Sequence, residues 1–183
     1  NDTATASAVG KLPTTNRGAS GASNTSYGWF GGGNDGSNYI STVSRIDFSN
    51  DSATTSVRGP LSTTHRASAA TGNLNYGYYA GGYTPTPVST VSRVDYGNDT
   101  ATASTKGPLS ATNYNFAATG NANYGYWIGG TNPLRSSIER LDFASDTTTA
   151  VLKGPLPTQV NQAWATGDQS YGYSTGGNTG SDV

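Results

Sequence analysis

The chain has 183 residues, with 10 Lys+Arg against 11 Asp+Glu and a formal net charge of −1. That balance supplies no basic patch of the kind nucleic acids or anionic membranes require. There are no cysteines, which excludes disulfides and thiolate metal sites, and no apolar run approaches the ~20 residues of a membrane-spanning helix.

Taken in chain order, residues 1–13 read as an outer strand of a preceding unit. The opening, Asn1-Asp2-Thr3, lacks the basic and apolar regions of a secretory leader. A recurring segment then begins at Tyr27-Gly28-Trp29-Phe30-Gly31-Gly32. It returns at Tyr76, Tyr124 and Tyr171, spaced 49, 48 and 47 residues apart. A second recurring block is Ser41–Phe48, Ser89–Tyr96 and Ser136–Phe143. A third is Gly59-Pro60-Leu61, Gly107-Pro108-Leu109 and Gly154-Pro155-Leu156, with Gly10-Lys11-Leu12 as a weaker copy.

Each unit reads as four strands. In the clearest copy, 66–72 is a small-residue strand and 76–80 alternates aromatic with small residues until Gly81-Gly82 stops it. Residues 90–96 alternate apolar with polar and end at a Gly97-Asn98-Asp99 turn, and 100–106 is Thr/Ser/Ala-rich and stops at Gly107-Pro108. Alternation argues for strands, and the Gly, Pro and Asn-Asp clusters are turn chemistry. Complete units are expected at 14–62, 63–110 and 111–157, with 158–183 supplying two strands of a fourth. An all-β chain with four short antiparallel strands per unit has the spacing of β-propeller blades. Because propellers usually hold 4–8 blades, the chain is expected to be a segment of a larger propeller, or to have its gap filled by another chain.

These motifs resemble the kelch family. The likeness lies in the diglycine that ends a strand, the strand closing on an aromatic (Phe48, Tyr96, Phe143), and the Pro-containing link into a small-residue strand. Arg17 and Arg66 stand where kelch repeats often carry an arginine. The tryptophan usual in a kelch outer strand is replaced by Thr and Ser. The texture of Asn98-Asp99-Thr100-Ala101 and Arg58-Gly59-Pro60-Leu61-Ser62 is also similar to the repeats of marine bacteriophage structural and tail proteins.

Catalytic chemistry finds little support. His65 is the single histidine, and its counterparts Asn16, Asn113 and Val160 show that it is not a repeated feature; it reads as a loop residue. Asp47, Asp95 and Asp142 belong with Arg45, Arg93 and Arg140 to a ladder repeated in every complete unit. Residues two apart on a strand point the same way, so each Arg and its Asp are expected to meet within a blade or across to the next, as structure and not as a site. Asp2, Asp51, Asp99 and Asp146 read as turn residues, and one carboxylate per turn is too few for calcium. The copper oxidases with kelch-like propellers use a cysteine ligand that this chain lacks. No enzyme, metal or cofactor is therefore expected.

Strand alternation places the loop after the diglycine and the unit-to-unit link on one ring face. There the repeats diverge, and divergent loops are where binding is carried. Candidate binding residues are Arg17, Asn34, Asp35, Tyr39, His65, Arg66, Tyr83, Tyr114, Asn132 and Arg135. The expected function is a non-catalytic module of a virion, tail or other extracellular surface protein, acting in assembly, attachment or receptor recognition. The alternatives are a carbohydrate-binding propeller of a secreted microbial protein and an intracellular kelch-type adaptor. Expected partners are proteins, a cell-surface glycan, other copies of itself or neighbouring blades of a longer chain. Nucleic acid and membrane insertion are not expected.

Overall fold

The computed structural model describes residues 9–180. It is all-β, built of sequence-consecutive antiparallel sheets arranged like propeller blades, and the arrangement is not closed. The first sheet holds β1 (Ser20–Ser23), β2 (Tyr27–Gly31), β3 (Val43–Asp47) and β4 (Ser56–Arg58). The second holds β5 (Ala69–Gly72), β6 (Tyr76–Ala80), β9 (Val91–Asp95) and β10 (Ser104–Lys106). Between β6 and β9 lies a small hairpin, β7 (Tyr83–Thr84) with β8 (Thr86–Pro87). The third sheet holds β11 (Ala117–Gly120), β12 (Tyr124–Ile128), β13 (Ile138–Asp142) and β14 (Val151–Lys153). The fourth has two strands, β15 (Trp164–Gly167) and β16 (Gly172–Thr175).

The small-residue strands β1, β5, β11 and β15 are innermost and line one common cleft. Their entry is stitched from unit to unit by main-chain bonds. Ala67 N–H donates to the Gly18 carbonyl at 2.8 Å, Asn115 N–H to Ala67 at 2.9 Å, and Gln162 N–H to Asn115 at 2.7 Å. All four of these residues have positive φ, between 52° and 70°, although only one is glycine. The repeated inter-unit bond holds three ordinary residues in a conformation that normally costs them energy.

The outer strands are shorter than the sequence pattern suggests. β10 spans Ser104–Lys106, not 100–106, because the residues before it bond to the preceding unit instead of to β9. Gly59 N–H donates to the Asp99 carbonyl and Ala103 N–H to the Pro60 carbonyl, both at 2.8 Å. The turn expected at Gly97-Asn98-Asp99 is a 3₁₀ turn over Tyr96–Asn98, with its copy at Phe143–Ser145, and each is capped by the preceding aspartate. Residues 1–8 of the expected leading outer strand lie outside the described residues. Residues 9–13 carry no strand, but Gly10 and Lys11 bond to Asp51 and Thr55 as Gly59 and Pro60 bond to the next unit.

The core is packed between sheets. Trp29, Val43 and Leu61 of the first unit meet Tyr79, Val94 and Ala103 of the second. Tyr78, Val91 and Leu109 then meet Phe116, Trp127, Leu141 and Ala150. Glycine on the opposing strand face makes this possible. A Cβ at Gly31 would lie 2.8 Å from the Tyr79 ring.

Candidate binding face and the inter-unit junctions

The link and the loop after the diglycine do come together. Main-chain bridges join Arg17 to Asn34, Arg66 to Tyr83, Tyr114 to Thr131, and Asn161 to Asn178. Around them an aromatic–cation cluster crosses three units. The Arg66 guanidinium lies 5.8 Å from the Tyr39 ring centroid and 5.5 Å from that of Tyr83. Tyr83 meets Tyr39 edge-on at 6.0 Å and Tyr114 at 5.4 Å. All four side chains are half-buried, so their rings are held in place yet reachable.

The remaining candidates divide. Arg17 and Asp35 are exposed and line a shallow depression with Asn34. Backbone N–H groups of Asn38 and Ser37 hold the Asp35 carboxyl below its ordinary value. Asn132 is exposed and Arg135 half-buried, and the Arg135 guanidinium donates to the Asn132 carbonyl at 3.1 Å. Two candidates need correction. Asn34 is 7% exposed and its side chain accepts from Gly36 N–H, so it shapes the loop from within. His65 is 1% exposed and wedged against Gly32 and Gly82; it is no loop-surface residue. Its Nδ1 has no hydrogen-bond partner, and burial pushes its pKa down to about 4. Its counterparts Asn16 and Asn113 brace the diglycine by donating to the Gly32 and Gly129 carbonyls, each at 2.8 Å.

The Arg–Asp ladder also needs correction. Arg45 and Arg93 do cross to the next unit, but not to ladder aspartates. Arg45 Nη1 lies 3.0 Å from Asp99 Oδ2, and Arg93 Nη1 lies 2.7 Å from Asp146 Oδ2. Asp47, Asp95 and Asp142 instead accept from backbone N–H groups two residues on, at Ser49, Gly97 and Ala144. Arg140 stacks on the Tyr124 ring at 4.3 Å and has no carboxylate partner among the described residues.

Each closed junction converges on one aspartate. Asp99 accepts from Trp29 Nε1 at 2.9 Å and Arg45, with Arg58 Nε 3.4 Å away. Asp146 accepts from the Tyr78 hydroxyl at 3.0 Å and Arg93, with Lys106 Nζ 3.2 Å from its other oxygen. Above each, a ring stacks. Trp29 on Tyr96 is at 3.7 Å, and Tyr78 on Phe143 is at 4.4 Å. Burial, then the Asp146 charge, raises the Tyr78 hydroxyl pKa, so this group stays a donor. Sequence reading missed Asp99 and Asp146 because the turns Asn98-Asp99 and Ser145-Asp146 account for them locally. Their recurrence in phase with the arginines was the available signal. It also missed Glu139, 2% exposed, which accepts from Ser110 N–H at 2.6 Å across the second junction. Compared with known proteins, the sequence matches no family model and no curated protein.

Proposed function

We propose that the chain is a non-catalytic recognition module of a virion, tail or other extracellular surface protein, and that it binds through the variable-loop face. One observation carries the reading. The Tyr39–Arg66–Tyr83–Tyr114 cluster is built at positions that vary along the chain, the link position being Arg17, Arg66, Tyr114 and Asn161 in turn, whereas the junction residues recur. Half-buried tyrosines offer apolar faces with hydroxyl rims, and a cation–π-held arginine offers a fixed planar donor fork. That chemistry suits attachment to a glycan or a protein surface. The phage-like repeat texture supports the virion placement.

The test is a glycan array together with whole-cell binding, run on the wild type and on a Tyr83→Ala/Arg66→Ala double variant. Saturable binding that weakens at least tenfold in the variant, with its melting temperature within a few degrees of wild type, is the expected result. No binding to either surface, or equal binding by the variant, would overturn the assignment.

A further inference from the structure

The charges of the chain are divided between its two faces. The unit-to-unit links (13–19, 61–68, 109–116, 156–163) and the loops after the diglycines (34–42, 83–90, 131–137) hold the cations Arg17, Arg66 and Arg135 and a single carboxylate, Asp35. None of the three arginines is ion-paired among the described residues. The Arg66 guanidinium lies over the Tyr39 and Tyr83 rings and makes no hydrogen bond to a described residue. The Asp35 carboxylate is occupied from within its loop, accepting from Ser37 N–H at 2.9 Å and Asn38 N–H at 2.7 Å. The turns at the other end of the strands carry Asp47, Asp95, Asp142 and Asp168, each accepting from a backbone N–H two residues on. A chain of net charge −1 thus presents its unpaired arginines on the variable-loop face and draws anions there.

The link positions form a row. Arg17, Arg66, Tyr114 and Asn161 each precede one of the positive-φ residues that are hydrogen-bonded from unit to unit. Three such steps of roughly 5 Å make a row about 15 Å long. Neighbouring links touch, since a Cβ on Gly18 would lie 3.5 Å from Arg66 Cβ. The main chain of the row is already used. Arg17, Arg66 and Asn161 exchange both N–H and C=O bonds with Asn34, Tyr83 and Asn178, while Tyr114 accepts from Thr131 N–H and donates to Asn113. The row therefore offers no strand edge to an extended peptide, and recognition falls to the side chains.

We infer that this face takes a carboxylated oligosaccharide laid along the row, its sugar rings against Tyr39, Tyr83 and Tyr114 and a carboxylate on Arg66. Tyrosine rings offer apolar faces to the C–H faces of a sugar. An unpaired, stacked guanidinium is a planar fork that matches a carboxylate with two bonds at once. The arginines stand one to a unit and not in a dense run, which suits widely spaced carboxylates and not a sulfated polymer. This rests on the variable-loop face being the binding surface and adds the charge of what it binds.

The experiment is an array carrying carboxylated glycans, the same glycans with their carboxyls methyl-esterified, sulfated glycans and polyglutamate. Carboxylated glycans are expected to bind at least about tenfold more tightly than their esters, and to weaken as salt is raised. Arg66→Lys keeps the charge and loses the fork, so it should lose most of that preference at an unchanged melting temperature. Asp35→Asn keeps its loop bonds and removes the one opposing charge, so it should bind the carboxylated glycans more tightly, a gain that misfolding cannot imitate. Equal binding of glycans and their esters, or binding only of the sulfated glycans or of polyglutamate, overturns the inference while leaving the face a binding surface. Binding of nothing on the array or on whole cells overturns both.

Discussion

The first and second units meet across a finished interface, and the third and fourth across a half-finished one. At the first, Trp29 is 1% exposed and Leu61 2%, with Asp99 sealed between Trp29, Arg45 and Arg58. At the second, Tyr126 and Leu156, the counterparts of Trp29 and Leu61, are only half-buried, and Lys153 and Gly154 are exposed. The strands carrying these residues are alike in sequence and in pairing. What differs is whether a following turn arrives with its carboxylate. Sheet pairing within a unit therefore fixes where donors sit, and only the next unit decides whether they are buried.

Removing the acceptor tests this most severely. Asp146→Ala leaves Arg93, Lys106 and Tyr78 side by side at a partly dry interface with no acceptor opposite them, and breaking such a pair from one side costs about 3–5 kcal/mol. Asp95→Ala, which removes only an exposed turn cap, should cost about 1 kcal/mol or less. Chemical denaturation of both variants gives the contrast directly. Equal losses would show that the junction aspartate is no more than a turn residue.

Acid unfolding sharpens the comparison at the diglycine. Folded His65 stays neutral down to about pH 4, while its ordinary value is 6.5. The unfolded chain therefore binds the extra proton, and stability falls as pH drops from 6.5 to 4, by up to about 3 kcal/mol. His65→Asn installs the residue that Asn16 and Asn113 already represent in the flanking units. Its stability should be flat across that window, and a slope like that of wild type would show that other groups carry the effect.

The smallest expected effect separates a glycine packed against the next turn from an exposed one. Gly107→Ala drives a methyl into the Thr148 carbonyl and should cost about 1–3 kcal/mol, as overpacking does. Gly154→Ala should change the melting temperature by a degree or two at most. Similar losses at both positions would mean that glycine serves the link's own conformation and not the approach of the next turn.

Much of this architecture was legible before any coordinates. Period-two alternation marks Tyr76–Ala80 as a strand because side chains on a strand point alternately to its two faces. The diglycines mark its end, since both adopt positive φ at Gly81 and Gly82. Divergence between repeats pointed to the face where Tyr39, Arg66, Tyr83 and Tyr114 gather. His65 was misplaced because a lone polar residue in a link says nothing about depth. Its burial comes from the two diglycines that close around it. The ladder was misassigned because spacing shows which side chains share a face, not which neighbour they reach.

The sequence by itself determined the repeat, the four strands of each unit and the side of each strand that faces a neighbour, because these follow from local backbone preference and a period of two. Only the tertiary structure decided the partners. Arg45 passes over Asp47 for Asp99, 54 residues on, because stacking one sheet on the next brings that turn under the guanidinium while Asp47 is held by Ser49. A carboxylate goes to the donors that packing brings to it, and the distance along the chain has no say in that.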